Sequence, residues 1–170
     1  MSILGGNPKD EPLHYGEIFS IWTYSAGVKG MVSAYQAFHS HAGDKDLKNI
    51  LSDLVDQAKK QIKEVDALLT ENGIAPAPAL PERPPVALED IPVGARFTDP
   101  EIAAAISLDM SAGLVGCSQI MGMSIREDVG ALFLKYHTAK TSDGLKILEM
   151  NKEKGWLIPP PLQIKRPDHN

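Results

Sequence analysis

A chain of 170 residues, 43% hydrophobic and 23% charged, fits one domain with a single core and is too apolar for global disorder. Its formal net charge of -5 and pI near 5.5 come with no dense Lys/Arg run. The electrostatic footprint of a phosphate backbone is therefore missing, and nucleic acid is not an expected partner. The single cysteine, Cys117, excludes an internal disulfide and sits among Leu114, Ile120 and Met121, which suits a reducing, cytoplasmic setting. The stretch from Met1 to Glu11 is polar and interrupted by Gly5, Gly6 and Pro8, unlike the apolar core of a secretion signal. Charges interrupt the amphipathic segments, so no transmembrane segment is expected.

The first helix is predicted over about 14–41. Ile18, Ile21, Trp22, Ser25, Val28, Val32 and Tyr35 recur there at three- and four-residue steps. Gly27 and Gly30 each cost about 1 kcal/mol of helix preference relative to Ala, so tertiary packing has to hold this helix. Ala42-Gly43-Asp44 supplies a glycine stop and an aspartate start, which predicts a tight antiparallel turn. The second helix, 44–72, has the clearest period: Leu47, Leu51, Leu54, Ala58, Ile62, Val65 and Leu69 alternate steps of four and three. Glu71-Asn72-Gly73 ends it at a glycine able to adopt the left-handed conformation.

From 74 to 97 the helical period disappears, and Pro76, Pro78, Pro81, Pro84, Pro85 and Pro92 exclude both helix and central strand. A helix of about 28 residues is about 42 Å long. Roughly two dozen extended residues at about 3.1 Å each can travel that length and bring the chain back to its starting end. Helices two and three would then be parallel. The expected fold class is all-α, a four-helix bundle with ferritin-like topology: two helical hairpins joined by one long proline-rich crossover. An ordinary bundle with a floppy loop is the alternative.

The third helix, 99–122, opens on Thr98-Asp99-Pro100-Glu101, a hydroxyl cap, an early proline and a glutamate placed to reach back. Its inner face is read as Ile102, Ile106, Met110, Gly113, Cys117, Ile120 and Met121. Ser124-Ile125-Arg126-Glu127 repeats the capping pattern and starts the fourth helix, 125–154, which runs through Val129, Leu132, Phe133, Tyr136, Leu145 and Leu148. Trp156, Leu157, Ile158 and Pro159-Pro160-Pro161 open a tail, 156–170, expected to lie on the bundle because burying that much apolar surface is favourable. Lys165 to Asn170 are expected to fray. The whole of 1–170 reads as one helical-bundle domain.

A ferritin-like bundle invites a two-metal carboxylate centre, which takes a Glu from each of two helices and a Glu-x-x-His pair from each of the others. The residues three before His39, His41, His137 and His169 are Gln36, Phe38, Leu134 and Arg166. Only Glu11-Pro12-Leu13-His14 matches, at the mouth of the first helix where the proline prevents an interior geometry. A di-iron or di-manganese centre is therefore not expected, and no other cofactor is. The remaining metal or ligand candidates are Glu17, Asp109 and His137, read as sharing one centre; the plainer reading makes Glu17 a first-turn charge favoured by the helix dipole, Asp109 a partly solvated or paired carboxylate and His137 a packing residue. Cys117, inside a helix among apolar side chains, reads as an inert thiol. No phosphate loop follows a strand and no Gly-x-Ser-x-Gly elbow is present, so no catalytic residue is assigned and no enzyme class gains support.

The words Ile91-Pro92-Val93-Gly94-Ala95-Arg96-Phe97-Thr98-Asp99, Cys117-Ser118-Gln119-Ile120-Met121-Gly122, Ser124-Ile125-Arg126-Glu127-Asp128-Val129-Gly130 and Lys152-Glu153-Lys154-Gly155-Trp156-Leu157-Ile158-Pro159-Pro160-Pro161 resemble a family of uncharacterised proteins from endospore-forming bacteria, over about Leu13 to Leu162. The resemblance implies a ferritin-like bundle and, for some members, a spore coat label akin to that of spore coat protein F. It supplies no catalytic residues. The leading expectation is a non-catalytic structural or interaction protein, a spore coat component located in the cytoplasm, the forespore or the coat. Its partners would be a second copy of itself or other spore proteins, with Trp22, Tyr24 and Trp156 read equally as anchors of a homodimer or as intramolecular core. A metal- or small-ligand-binding bundle with an unfamiliar ligand set is the first alternative, and a sporulation or stress regulator acting through protein partners is the second.

Overall fold

The computed structural model describes residues 4–164. Four long helices follow one another, α1 (Tyr15–His41), α2 (Lys45–Glu71), α3 (Asp99–Met123) and α4 (Glu127–Glu153), with no strand among the described residues. The expected frayed end, Lys165 to Asn170, lies outside them.

Each helix boundary has a local cause. Asp44 caps α2 by accepting the N–H groups of Asp46 and Leu47 at 2.8 and 3.1 Å. Asn72 closes α2, and Gly73 follows at φ +76°, a conformation that costs glycine nothing. At the start of α3 the Glu101 carboxylate reaches back to accept both the N–H and the hydroxyl of Thr98, at 2.6 and 2.8 Å. The fourth start differs from the expected capping pattern. Ser124 serves the preceding helix as its C-cap, with its hydroxyl on the Ile120 carbonyl at 2.7 Å, and Arg126 is the N-cap of α4.

The connections between ends establish the topology. The Gly43 and Asp44 N–H groups, between α1 and α2, donate to the Asp99 carboxylate at the start of α3 at 2.7 and 2.9 Å. At the opposite end the His14 ring meets the Met123 carbonyl at 3.0 Å. α1 and α3 therefore run antiparallel, and α2 and α3 run parallel, as two hairpins joined by a crossover. Within each hairpin the packing is extensive, α1 on α2 and α3 on α4, while contact between hairpins is sparser.

The crossover is ordered because α1 holds it along its length. Trp22 donates to the Ala75 carbonyl at 3.2 Å, buried Lys29 to the Ala77 carbonyl, Arg83 to the Ser33 hydroxyl at 3.0 Å, and the Val86 N–H to the Ser40 hydroxyl at 3.2 Å. Short 3-10 turns at Leu88–Asp90 and Val93–Ala95 then lead to Phe97, whose N–H donates to the His41 ring at 3.1 Å. Proline-rich backbone lacks donors of its own, so its carbonyls and remaining N–H groups are met by side chains of α1.

Two expectations need correcting. The tail lies on the bundle only at its first residue: Trp156 packs on the core, its N–H donating to the Asn151 carbonyl at 2.9 Å after Gly155 turns at φ +71°. Beyond it, Ile158, Leu162 and Ile164 are exposed, since three consecutive prolines carry the backbone outward in a rigid path. Nor does a charge interrupt every segment. Between Ile102 and Met123 Asp109 is the sole charged residue of α3, and an 18-residue window there reaches a mean hydropathy of 1.2, long and apolar enough by composition to cross a membrane. In the fold this helix has one buried face, with Ile102, Ile106, Met110, Cys117 and Ile120 inside the bundle.

Candidate functional site

The core is divided. One apolar cluster, including Leu47, Leu51, Ile102, Ile106 and Ile147, fills the end where α1 turns into α2. A second, including Ile21, Val65, Leu69, Ile120 and Phe133, fills the other end. Between them, at the waist, lies a partly open cavity of about 270 Å³ lined by all four helices.

Part of its wall is apolar, from Val28, Met31, Leu54, Ala58 and Met110, and part is polar, from Tyr24, Tyr35, Gln57, Gln61 and the charged Asp109, Lys140 and Asp143. A Cβ added at Gly27 would meet nothing within 4 Å, and one at Gly113 would strike the Lys140 side chain at 2.8 Å. Gln61, not the expected Ile62, takes the buried position on α2, where its side-chain carbonyl accepts the Tyr24 hydroxyl at 2.8 Å.

Tyr35 donates to the Asp109 carboxylate. Burial, reinforced by Asp109 and Asp143, pushes the Tyr35 hydroxyl well above its ordinary pKa. Asp143, buried, accepts from Gln57 at 3.3 Å and from the exposed Lys146 at 3.4 Å, both long for such contacts. Lys140 lies over the Tyr24 ring, 5.9 Å from its centroid. Cys117, buried beyond Tyr24, has its thiol pushed up by burial against a smaller opposing pull from Lys140, which leaves it a poor nucleophile.

The three metal candidates do not share a centre. Asp109 is at the waist. Glu17 lies at the closed end, level with Met123 through the neighbouring His14, and 14 residues of α3 put Asp109 roughly 21 Å from that level. Glu17, fully buried, accepts the His14 N–H at 3.0 Å and the N–H groups of Ile125 and Arg126 at 2.9 and 3.1 Å. A carboxylate at the start of two helices is favoured by both dipoles, so its work is structural. His137, half-buried on α4, does not line the cavity. Among the described residues no three His, Cys, Asp or Glu side chains are grouped to hold a metal ion.

Arg126, missed in the sequence, organises the same end. Its guanidinium pairs with both oxygens of Asp128 at 3.0 and 2.7 Å and donates to Asn72 Oδ1 at 2.8 Å and to the Glu11 carbonyl at 3.1 Å. His14 Nδ1 accepts the N–H groups of Gly16 and Glu17 at 2.9 and 3.3 Å, so the proton is assigned to Nε2, which donates to Met123.

The expected anchors have other partners. Tyr24 belongs to an aromatic cluster, edge-on to Phe133 at 4.9 Å and stacked on Tyr136 at 5.8 Å. Trp156 packs on the core and Trp22 holds the crossover. Trp22 stays 39% exposed, and Leu134 and Leu145 of α4 are exposed as well, but further exposed apolar side chains lie on the outer faces of α1 and α3. Tyr15, Phe19, Leu108 and Val115 are 92%, 72%, 73% and 67% exposed. From Tyr15 to Tyr35 the charged residues of α1 are Glu17 and Lys29, both buried, and Asp109 of α3 faces the waist. Beyond the first turn of α3, where Glu101 is exposed, these two antiparallel neighbours thus present a common outer face without charge, whereas α2 and α4 carry exposed Asp53, Lys60, Lys135 and Glu149. The sequence signal was available: α1 and α3 are apolar all round, the pattern of helices covered on every side.

The comparisons agree with this architecture. A two-domain protein from Anabaena variabilis ATCC 29413, containing DJ-1/ThiJ/PfpI-like and ferritin-like domains, matches 96% of this chain and 42% of its own at a TM-score of 0.64 and 13% identity, a likeness of fold alone. A crystal structure from Bacillus halodurans C-125, described as a "putative spore coat protein", is 52% identical and superposes over 94% of this chain and all of its own at a TM-score of 0.92. The uncharacterized protein YvdQ of Bacillus subtilis (strain 168) is 49% identical over 166 residues, 98% of each chain. With a family model matching residues 1–168, the chain belongs to the family described as protein of unknown function, DUF3231.

Proposed function

We propose that this protein is a non-catalytic structural component of the spore, associated with the coat, and that it works by self-association through the outer face of α1 and α3. The charge-free character of that face carries the reading. In a molecule of net charge -5, two copies repel except where they can meet without charge, and a two-fold interface brings the same patch of each copy together. Its size is suitable. The stretch from Tyr15 to Tyr35 is about 30 Å long, and two helices side by side are about 20 Å wide, which offers roughly 600 Å² per partner, the lower end of a standard stable interface. The 52% identical relative from Bacillus halodurans, described as a spore coat protein of putative status, supports the location in the forespore or coat.

Light scattering on the purified chain tests the assembly, with a dimer expected. The double substitution Phe19→Asp and Val115→Asp, on exposed positions, should yield a folded monomer. A wild-type chain that is monomeric at high concentration sinks the reading. Location is tested by expressing a tagged chain in sporulating Bacillus and extracting the coat; absence from that fraction removes the coat assignment while leaving the dimer to be judged separately.

A further inference from the structure

The waist cavity is a construction the structural role does not use. A bundle selected only for rigidity gains by filling such a space, since each empty methyl-sized volume costs about 1 kcal/mol. Here the space between the four helices is left unfilled, and its charged groups are incompletely matched. Asp109 accepts one bond, from Tyr35, and forms no ion pair among the described residues. Asp143, 7% exposed, has contacts of 3.3 and 3.4 Å, the second from a lysine that is itself 59% exposed. The single cation of the lining, Lys140, also forms no ion pair among the described residues and rests over the Tyr24 ring. Two carboxylates to one ammonium leave the lining net negative.

A desolvated carboxylate is costly until a cation with hydrogen-bond donors meets it, and tyrosine rings add a favourable environment for positive charge. The apolar wall opposite would cover a hydrocarbon body. We infer that the waist cavity binds a small organic ammonium ion, its charged nitrogen held by Asp109 and Asp143 and its apolar body packed against Val28, Leu54 and Ala58. A divalent metal does not fit the same description, because two carboxylates without further His, Cys, Asp or Glu ligands fall short of the donor set such ions take. The volume, just below the usual ligand-pocket range, admits a single ring or a short alkyl chain. Burial and both carboxylates together raise the Tyr35 hydroxyl, so that it stays protonated and a donor to Asp109.

The test is calorimetric titration of the full chain with phenethylamine, with phenylpropionate as the anionic counterpart and phenethyl alcohol as the neutral one. Saturable binding of the amine is expected, with the other two at least tenfold weaker. Asp109→Asn and Asp143→Asn should each weaken the amine about tenfold or more, the usual loss for a hydrogen bond to a charged group. Ala58→Leu, which extends an apolar side chain into the cavity from a helix that tolerates leucine well, should abolish binding while circular dichroism shows a folded bundle. Phenylpropionate binding as tightly as the amine would assign the cavity to anions on Lys140 and overturn the inference. So would amine binding that survives unchanged in the Ala58→Leu variant, or no binding of any of the three. None of these results depends on whether the chain dimerises.

Discussion

The closed end of the bundle and its waist both bury charge, and they treat it differently. At the closed end, Glu17 accepts three backbone N–H groups and Arg126 spends its donors on Asp128, Asn72 and Glu11, so that the N-terminal segment, the end of α2 and the start of α4 meet at one guanidinium. At the waist, Asp109, Asp143 and Lys140 surround open space and hold few partners. Saturated polar groups lock a fold; unsaturated ones around a cavity are available to something else. The difference separates charge that locks the fold from charge left with few partners.

The largest expected effect tests the closed end. Arg126→Ala removes the shared partner of three segments and leaves Asp128 unpaired, which should cost ~3–5 kcal/mol as measured by urea unfolding. A loss below about 1 kcal/mol would mean that the end is held by packing alone. Glu17→Gln keeps one acceptor and the shape but loses the charge facing two helix starts, so a smaller loss, about 1–3 kcal/mol, is expected in the same assay.

The waist should respond in the opposite sense. Asp143→Asn removes a buried charge with long hydrogen bonds, and its stability should change by less than about 1 kcal/mol, with stabilisation as probable as loss. A loss as large as that at Arg126 would erase the contrast between the two regions. The smallest effect is a slope with pH. The Arg126 guanidinium holds the Asp128 carboxyl below its usual range. A depressed folded pKa means that the pair's contribution is complete above the unfolded value of about 3.9 and disappears as pH falls through the lower folded value. Asp128→Asn should therefore flatten the acid limb of the stability profile below about pH 4, and an unchanged limb would show that other carboxylates set it.

The helices were legible because their signals are local. Leucines at four- and three-residue steps in α2, the Thr98–Glu101 pair and Gly73 act over one or two turns, and each boundary fell within about two residues of its expected place. The parallel course of α2 and α3 was also legible, since the proline content of 74–97 demanded an extended path long enough to return the chain. The site was not. Glu17 and Asp109 are both acidic residues on apolar helices, and nothing in their neighbours along the chain says that one meets two helix N-termini and the other a cavity. Tyr24 could be read equally as an interface anchor or as core for the same reason: its aromatic partners, Phe133 and Tyr136, are more than a hundred residues away in sequence.

By itself, the sequence determined an all-helical chain, its four segments, their two hairpins and the family words that place it among proteins of endospore formers, because periodicity, capping and chain length are properties of consecutive residues. Only the tertiary structure decided which charges are saturated, that the four helices leave room at the waist, and that the uncharged sides of α1 and α3 are neighbours. Those facts depend on residues brought together from separate helices, where burial, and not residue type, sets what a side chain does.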